Sequence, residues 1–197
     1  MLVLLVCRFH EFEGAVTWAL GLLLVALGEG LRLWSVAVIG KESRTRGSGT
    51  RRLVVSGPYV FTRNPLYIGN LLLTLGMACL SELLWMIPIV AVLYAIQYVP
   101  IVLWEEQNLS TYFGADYAAY CRNVPRWLPQ WPGFAPSAAP RVSYQWKASF
   151  WSERSTLATV GVLLLCMVAK EDLPHLPKYL AKHHVRLPGY QHAIRHS

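Results

Sequence analysis

The sequence predicts an all-α polytopic membrane protein: a transmembrane bundle of about four to five spans with a helical hairpin and a cytoplasmic interfacial helical segment. The chain is 54% hydrophobic and only 15% charged, whereas a soluble domain carries nearer a quarter of charged residues. Long apolar runs recur along it, and polar groups collect at their ends. Because polar groups are costly at membrane depth, those ends are the first candidates for a functional site.

Four apolar runs approach the roughly 20 residues needed to cross a hydrocarbon core of about 30 Å. They cover residues 14–36, 65–81, 83–104 and 155–169. Only Ser81-Glu82 separates the second and third runs, which therefore form the predicted hairpin. Gly69 and Gly76 share one face of the second run, and small residues allow close helix contact, so a tight hairpin interface is expected. The apolar start, Met1 to Cys7, allows a further short membrane element and lacks the basic region of a signal peptide.

The distribution of charge predicts which side of the membrane each loop faces. The net charge is +7, and basic residues in short loops mark the cytoplasmic side. The loop 40–63 has one acid, Glu42, and six basic residues: Lys41, Arg44, Arg46, Arg51, Arg52 and Arg63. The hairpin returns the chain to the same side, so the active site is expected to face the cytoplasm. A basic tail after the fourth run conflicts with this arrangement, and its side is left open.

Metal and nucleic-acid functions find little support in the sequence. The four cysteines lie far apart, with no CxxC or Cys/His ligand spacing. His183-His184 has no further ligands at a defined spacing. No metal site and no nucleic-acid partner are predicted.

The first polar motif is the segment 57–70. Asn64-Pro65 predicts a helix start, in which Asn64 accepts from amides of the first turn and Pro65 takes the first helical position. Such a helix end, with Arg63 beside it, attracts carboxylates and phosphates. Tyr67, Asn70 and Thr74 then form a polar stripe that should face a cavity or a partner. A capped helix with an interfacial tyrosine is the alternative.

The second motif runs from Glu105 to Pro129. Helical spacing aligns five residues on one face: Tyr94, Tyr98, Ile101, Glu105 and Asn108. Glu105 and Glu106 point about 100° apart, so one could bind a ligand amine while the other pairs with Arg122 or Arg126. Gly114 is a predicted C-cap. A short interfacial helix should follow it, with Tyr117 and Tyr120 toward the membrane. The alternative is an exposed amphipathic helix with solvated glutamates.

Together these blocks resemble the membrane-embedded methyltransferases, a family that includes isoprenylcysteine carboxyl methyltransferases and phosphatidylethanolamine N-methyltransferases. The matching residues are Gly57-Pro-Tyr59, Arg63-Asn-Pro-Leu-Tyr67 with Gly69, Glu105-Glu106, Leu109, Phe113-Gly114, Tyr117, Tyr120 and Val124-Pro-Arg-Trp-Leu-Pro129. The resemblance covers roughly residues 28–132. It implies a methyltransferase core over residues 1–140, followed at 141–197 by a further C-terminal span and a basic, His-rich tail.

The resemblance implies S-adenosylmethionine as cofactor, held between membrane helices and their cytoplasmic ends. The acceptor would be a lipid or isoprenoid-like substrate in the membrane, methylated on a carboxyl or an amine. Glu105 is favoured for the cofactor's amino group, and Glu106 for supporting an arginine. The catalytic candidates are Glu105, Arg122 and Arg126, with Trp127 beside the acceptor headgroup. The cofactor-binding candidates are Tyr59, Arg63, Asn64, Pro65, Tyr67, Gly69, Asn70, Glu105, Glu106 and Tyr120.

Two departures from the family pattern bear on the chemistry. The family commonly has His where this chain has Asn64, so an imidazole base cannot be carried over. An Arg that often precedes the glutamate pair in the prenylcysteine branch is replaced by Ile101 and Val102, which puts a prenylcysteine carboxylate in doubt. The alternatives are a membrane NADPH-dependent reductase of the sterol or steroid type, and a non-catalytic membrane binding module.

Overall fold

The computed structural model describes residues 15–39, 53–82, 84–134 and 144–172. Regular structure in these ranges is helical, as the sequence predicts. Five α-helices follow in order: α1 (Ala15–Ile39), α2 (Pro65–Leu80), α3 (Ile87–Phe113), α4 (Ala115–Asn123) and α5 (Trp146–Asp172). Short 3-10 turns occur at Gly57–Val60 and Leu84–Met86. The N-terminal element, most of the basic loop and the His-rich tail of the sequence prediction lie outside the described residues.

Two stretches of the described chain are long and apolar enough to cross a membrane: α1, and α3 together with the turn before it. Helix α2 is also apolar but has 16 residues. On α3 the side chains of Val92, Leu93 and Ile96 are 57%, 59% and 66% exposed. Exposed apolar side chains in a row suit contact with lipid better than contact with water. Each of the four predicted apolar runs coincides with a helix, and the number of spans stays a prediction.

Helices α1 and α2 pack backbone to backbone through two glycine pairs. A Cβ on Gly28 would lie 2.7 Å from the carbonyl oxygen of Gly69, and a Cβ on Gly76 would lie 2.8 Å from that of Gly21. Both helices therefore repeat glycine every seventh residue along the shared face. The tight interface was expected inside the hairpin of α2 and α3, and this expectation is wrong. Periodicity shows which residues share a face but not which helix covers it.

Two tyrosines of helix α3 contact the start of helix α2. After the turn at Ser81 and Glu82, the chain re-enters a helix, and the Tyr94 hydroxyl donates to the carbonyl oxygen of Tyr67 over 2.5 Å. The Tyr98 ring lies 4.2 Å from the Tyr94 ring and 5.6 Å from the Tyr67 ring, centroid to centroid. These contacts place the end of α3 beside the start of α2.

The segment after α4 folds back along the segment before α2. The Arg63 amide donates to the carbonyl of Pro125 over 2.9 Å, and the Gln130 amide donates to the carbonyl of Phe61 over 3.0 Å. The Thr62 hydroxyl donates to the carbonyl of Arg126 over 3.1 Å. Backbone hydrogen bonds thus join the two sequence motifs directly.

The chain divides into two compact units, residues 1–157 and residues 158–197. The first turns of α5 belong to the first unit, where they pack on the end of α1. The Gln145 amide donates to the carbonyl of Ala37 over 3.0 Å, and the Ser149 hydroxyl donates to that of Leu33 over 2.8 Å. The proposed boundary at residue 140 stays a prediction.

The glycine interface predicts that replacing glycine by alanine lowers the stability of the protein at Gly28 but not at Gly30. Gly28→Ala should lower the free energy of unfolding by about 1–3 kcal/mol, the usual cost of overpacking, because the new methyl group meets backbone atoms that cannot move away. Gly30→Ala is the matched control: it lies on the same helix, and nothing is within 4 Å of the added Cβ. It should be neutral or stabilising by about 0.5–1 kcal/mol. Unfolding in detergent, followed by circular dichroism, measures both, and equal stability of the two variants would contradict the proposed packing.

Candidate functional site

The carboxylate of Glu106 joins the two motifs. It lies in the last turns of α3 and is 8% exposed. The Asn64 amide donates to its Oε1 over 3.1 Å, and the Arg63 guanidinium donates to its Oε2 over 3.3 Å. The Arg126 guanidinium reaches it through two nitrogens, with Nη2 to Oε2 at 2.9 Å. The prediction that one glutamate of the pair binds Arg126 is confirmed for Glu106.

This arrangement redirects the Asn64 side chain. Asn64 takes the N-cap position of α2 and Pro65 the first helical position, as the sequence predicts. Its side chain makes no capping hydrogen bond, however, and donates instead to Glu106 and to the carbonyl of Arg126 over 3.2 Å. The expectation that the side chain accepts from the first turn of α2 is wrong. The buried carboxylate of Glu106 gains more from this donor than the first turn of α2 would gain from a side-chain cap.

Glu105 has the opposite environment. It is exposed, lines a cavity of about 840 Å³, and interacts with the hydroxyl of Tyr67. The two neighbouring carboxylates therefore have different surroundings, because adjacent helical residues point about 100° apart. Glu106 is saturated by protein donors, whereas Glu105 faces the cavity.

The cavity collects most of the predicted cofactor-binding residues. Nine of the ten line it: Tyr59, Arg63, Asn64, Pro65, Tyr67, Asn70, Glu105, Glu106 and Tyr120. Gly69 lies instead against Gly28 and Arg32 of α1. Arg122 is exposed on α4, and Arg126 lies behind Glu106; neither lines the cavity. A volume of this size falls within the range of small-molecule sites.

The short helix α4 closes one wall. Gly114 ends α3 with a φ of 53°, as the C-cap prediction requires, and turns the chain into α4. Tyr117 and Tyr120 are 4% and 5% exposed and pack with Val124, so the expectation that they face the membrane is wrong. The Tyr120 hydroxyl donates to the carbonyl of Tyr59 over 2.8 Å. Burial raises the pKa of both tyrosines above the usual value, so both remain neutral hydrogen-bond donors.

A second charged cluster lines the cavity, and sequence reasoning missed it. The Arg32 guanidinium of α1 donates to Asn70 of α2 and to Glu153 of α5, and its Nε lies 3.6 Å from the carboxylate of Glu29. The Thr74 hydroxyl, the third member of the predicted stripe, bonds its own helix at the carbonyl of Asn70 over 2.8 Å. Glu29 and Arg32 were visible as two charges inside an apolar run, a pattern that marks function by default.

The charges around the cavity are mixed. Two arginines and three glutamates line it: Arg32, Arg63, Glu105, Glu106 and Glu153. Leucines and aromatic rings, among them Leu109, Trp104 and Phe113, form the apolar remainder. A wall of this kind suits a ligand with both an amino and a carboxylate group next to an apolar portion.

Comparison with models of protein families identifies the family of this chain. The model of the phospholipid methyltransferase family matches residues 16–116, about half of the 197-residue chain. The chain belongs to the phospholipid methyltransferase family. The matched region includes α1, the first motif and the glutamate pair. Membership and the two apolar helices together indicate an integral membrane protein.

Several curated proteins are similar to this family member. The cobalt-zinc-cadmium resistance protein CzcN of Cupriavidus metallidurans is 35% identical over 112 residues, which cover 56% of this chain and 48% of that protein. Mouse protein-S-isoprenylcysteine O-methyltransferase is 32% identical over 129 residues, 58% of this chain and 42% of the relative. Protein-S-isoprenylcysteine O-methyltransferase B of Arabidopsis thaliana is 28% identical over 117 residues, 55% of this chain and 57% of the relative.

The chain thus spans about half the length of the curated relatives it matches. No solved structure shows a significant match. The resemblance to membrane methyltransferases inferred from the two motifs is confirmed by the family match and these relatives.

The contacts of Glu106 predict that the two glutamates differ in their effect on stability. Glu106→Gln should lower the free energy of unfolding by roughly 2–3 kcal/mol, because it leaves Arg63 without a counter-charge in a buried place. The value is at the low end for a broken buried pair because the Arg126 side chain is 39% exposed. Glu105→Gln, the adjacent control, should change stability by less than about 0.5 kcal/mol. Thermal unfolding in detergent compares them, and equal losses would show that Glu106 is not the structural member.

Proposed function

We propose that this protein transfers a methyl group from S-adenosylmethionine to a lipidic or membrane-partitioned acceptor. The observation that carries the proposal is the mixed-charge cavity in which Glu105 faces inward beside the motif residues of α2. Family membership supports the reaction class. When bound, S-adenosylmethionine supplies an activated methyl group.

The residues at the cavity fit the parts of this cofactor. Glu105 offers a carboxylate for the ammonium group, and Arg63 at the start of α2 offers positive charge for the carboxylate. Tyr67 and Trp104 line the cavity, and aromatic rings are side chains of the kind that stabilise a cationic sulfonium. Tyr59, Asn64, Pro65, Asn70, Glu106 and Tyr120 complete the proposed binding wall.

The acceptor is proposed to enter from the lipid side. Leu109 and Phe113 give the cavity an apolar wall, and exposed apolar side chains cover the outer surface of α3. Arg122 is proposed as the contact for a headgroup. Arg126 is engaged by Glu106, so its proposed role becomes support of the site; Trp127 follows it in the segment that packs against Thr62.

Such a site accelerates methyl transfer mainly by holding the two reactants in line and by excluding water. Holding two reactants in line can supply most of the barrier reduction in a displacement that needs no covalent help. Asn64 occupies the place of a possible base and is committed to Glu106, and Asn has no titrating group. No base is needed at Asn64 when the acceptor arrives as a nucleophile, which both a carboxylate and a neutral amine can do.

Direct binding tests the cofactor assignment. Purified protein in detergent should bind S-adenosylmethionine and S-adenosylhomocysteine in calorimetry, and should transfer a labelled methyl group to a lipid extract. NADPH should give no heat of binding. Binding of NADPH without a response to S-adenosylmethionine would favour the reductase alternative, and cofactor binding without methyl transfer to any lipid fraction would favour a binding module.

Glu105→Gln tests which carboxylate holds the cofactor. Loss of a charged hydrogen bond should weaken binding by about 1.5–3 kcal/mol, or roughly 10- to 150-fold in Kd. Asp116→Asn is the matched control, because it makes the same chemical change at an exposed position of α4 outside the cavity. It should leave Kd within about twofold. An unchanged Kd for Glu105→Gln would remove this residue from the site.

A further inference from the structure

The cluster of Arg32, Asn70 and Glu153 links three helices at the wall of the cavity. Arg32 comes from α1, Asn70 from α2 and Glu153 from α5, and all three line the cavity. Glu153 is 5% exposed and the Arg32 side chain is 13% exposed. A buried guanidinium between two other helices fixes their side chains with little rotational freedom.

The chemistry of the contact fixes the orientation of the Asn70 amide. An arginine side chain has donors only, so the atom of Asn70 that it meets has to be the oxygen, as the hydrogen bond from Nη1 to Oδ1 shows. The other end of the amide is then the NH₂ group. Among the described residues no acceptor bonds that nitrogen, and Asn70 lines the cavity. Asn70 therefore presents hydrogen-bond donors to a ligand.

Glu153 fixes the arginine in turn. Its Oε2 accepts from Nη2 of Arg32, and the Thr156 hydroxyl lies 3.4 Å from the same nitrogen. Gly69 makes room for this arrangement, since a Cβ there would lie 2.7 Å from Cγ of Arg32. The Arg32 side chain can therefore cross α2 at this point only because residue 69 is a glycine.

We propose that Arg32 and Glu153 are positioning residues, which hold the Asn70 amide with its NH₂ group toward an acceptor group of the methyl donor. The proposal rests on the proposed function, because the donor is the ligand concerned. It assigns to the start of α5, outside the family match of residues 16–116, an indirect part in ligand binding.

Asn70→Asp separates this role from a purely structural one. The aspartate keeps an oxygen for Arg32, but Glu29 and Glu153 already lie beside that guanidinium, so a third carboxylate should lower thermal stability modestly while the protein stays folded. The substitution replaces the NH₂ donors by an oxygen, so the affinity for S-adenosylhomocysteine should fall about tenfold or more, by loss of a hydrogen bond and repulsion of the ligand's acceptor. If affinity is retained, the proposed orientation of Asn70 is wrong.

A double-mutant cycle tests whether Glu153 acts through Asn70. Glu153→Gln alone should weaken binding of S-adenosylhomocysteine by about three- to tenfold, and Asn70→Ala by a similar or larger factor. The double variant should bind like Asn70→Ala alone, because the amide that Glu153 orients is then missing. Fold-changes that multiply, or no effect of Glu153→Gln on affinity, would overturn the proposal.

Trp18→Phe is the control for a general loss of helix contact. Trp18 donates to Glu82 over 3.1 Å and so also ties α1 to the end of α2, away from the cavity. It should lower thermal stability without changing Kd by more than about twofold. If the unmodified protein binds no S-adenosylhomocysteine, the proposed function itself fails and this inference falls with it. If it binds but the cycle is additive, only the inference fails.

Discussion

The Glu106 carboxylate is the interaction on which the rest of the site depends. It is a buried negative charge, and such a charge is tolerated only when donors surround it. Arg63, Asn64 and Arg126 supply them from the segments before α2 and after α4. The two motifs have to meet at the end of α3 for this charge to be satisfied, and the cavity is formed where they meet.

The adjacent residue turns this constraint into a binding site. Because Glu105 points about 100° away on the same helix, the packing that buries Glu106 leaves Glu105 facing the cavity. Helix α2 is held in place on its other side by the glycine contacts with α1, which bring Gly28 and Gly69 together. Close packing of α1 and α2 also brings Arg32 within reach of Asn70. The site thus combines a rigid helix pair with one saturated and one available carboxylate.

Much of this arrangement could be predicted from local sequence. Helix bounds near Pro65 and Gly114 follow from the conformational preferences of those residues, and the divergence of Glu105 and Glu106 follows from helix geometry. The pairing of Glu106 with an arginine follows from the cost of a buried charge. Nine of the ten proposed cofactor-binding residues line one cavity because both motifs fold onto the same helix end.

The errors concern partners that no local pattern specifies. The glycine face of α2 packs on α1 rather than on α3. The Asn64 side chain donates a hydrogen bond to Glu106 and does not cap its own helix. Arg32 and Glu153 are 121 residues apart, so only the tertiary structure pairs them. Tyr117 and Tyr120 have the amphipathic character of interfacial residues, yet burial against Val124 determines where they lie.

The most direct measurement of the central claim is an experimental structure of the protein with S-adenosylhomocysteine. The account predicts that the ligand's amino group lies about 2.7–3.2 Å from a carboxylate oxygen of Glu105. It also predicts that Glu106 keeps its bonds to Arg63, Asn64 and Arg126. A ligand bound outside this cavity would contradict the account, as would an amino group held by Glu106 with both arginines turned away.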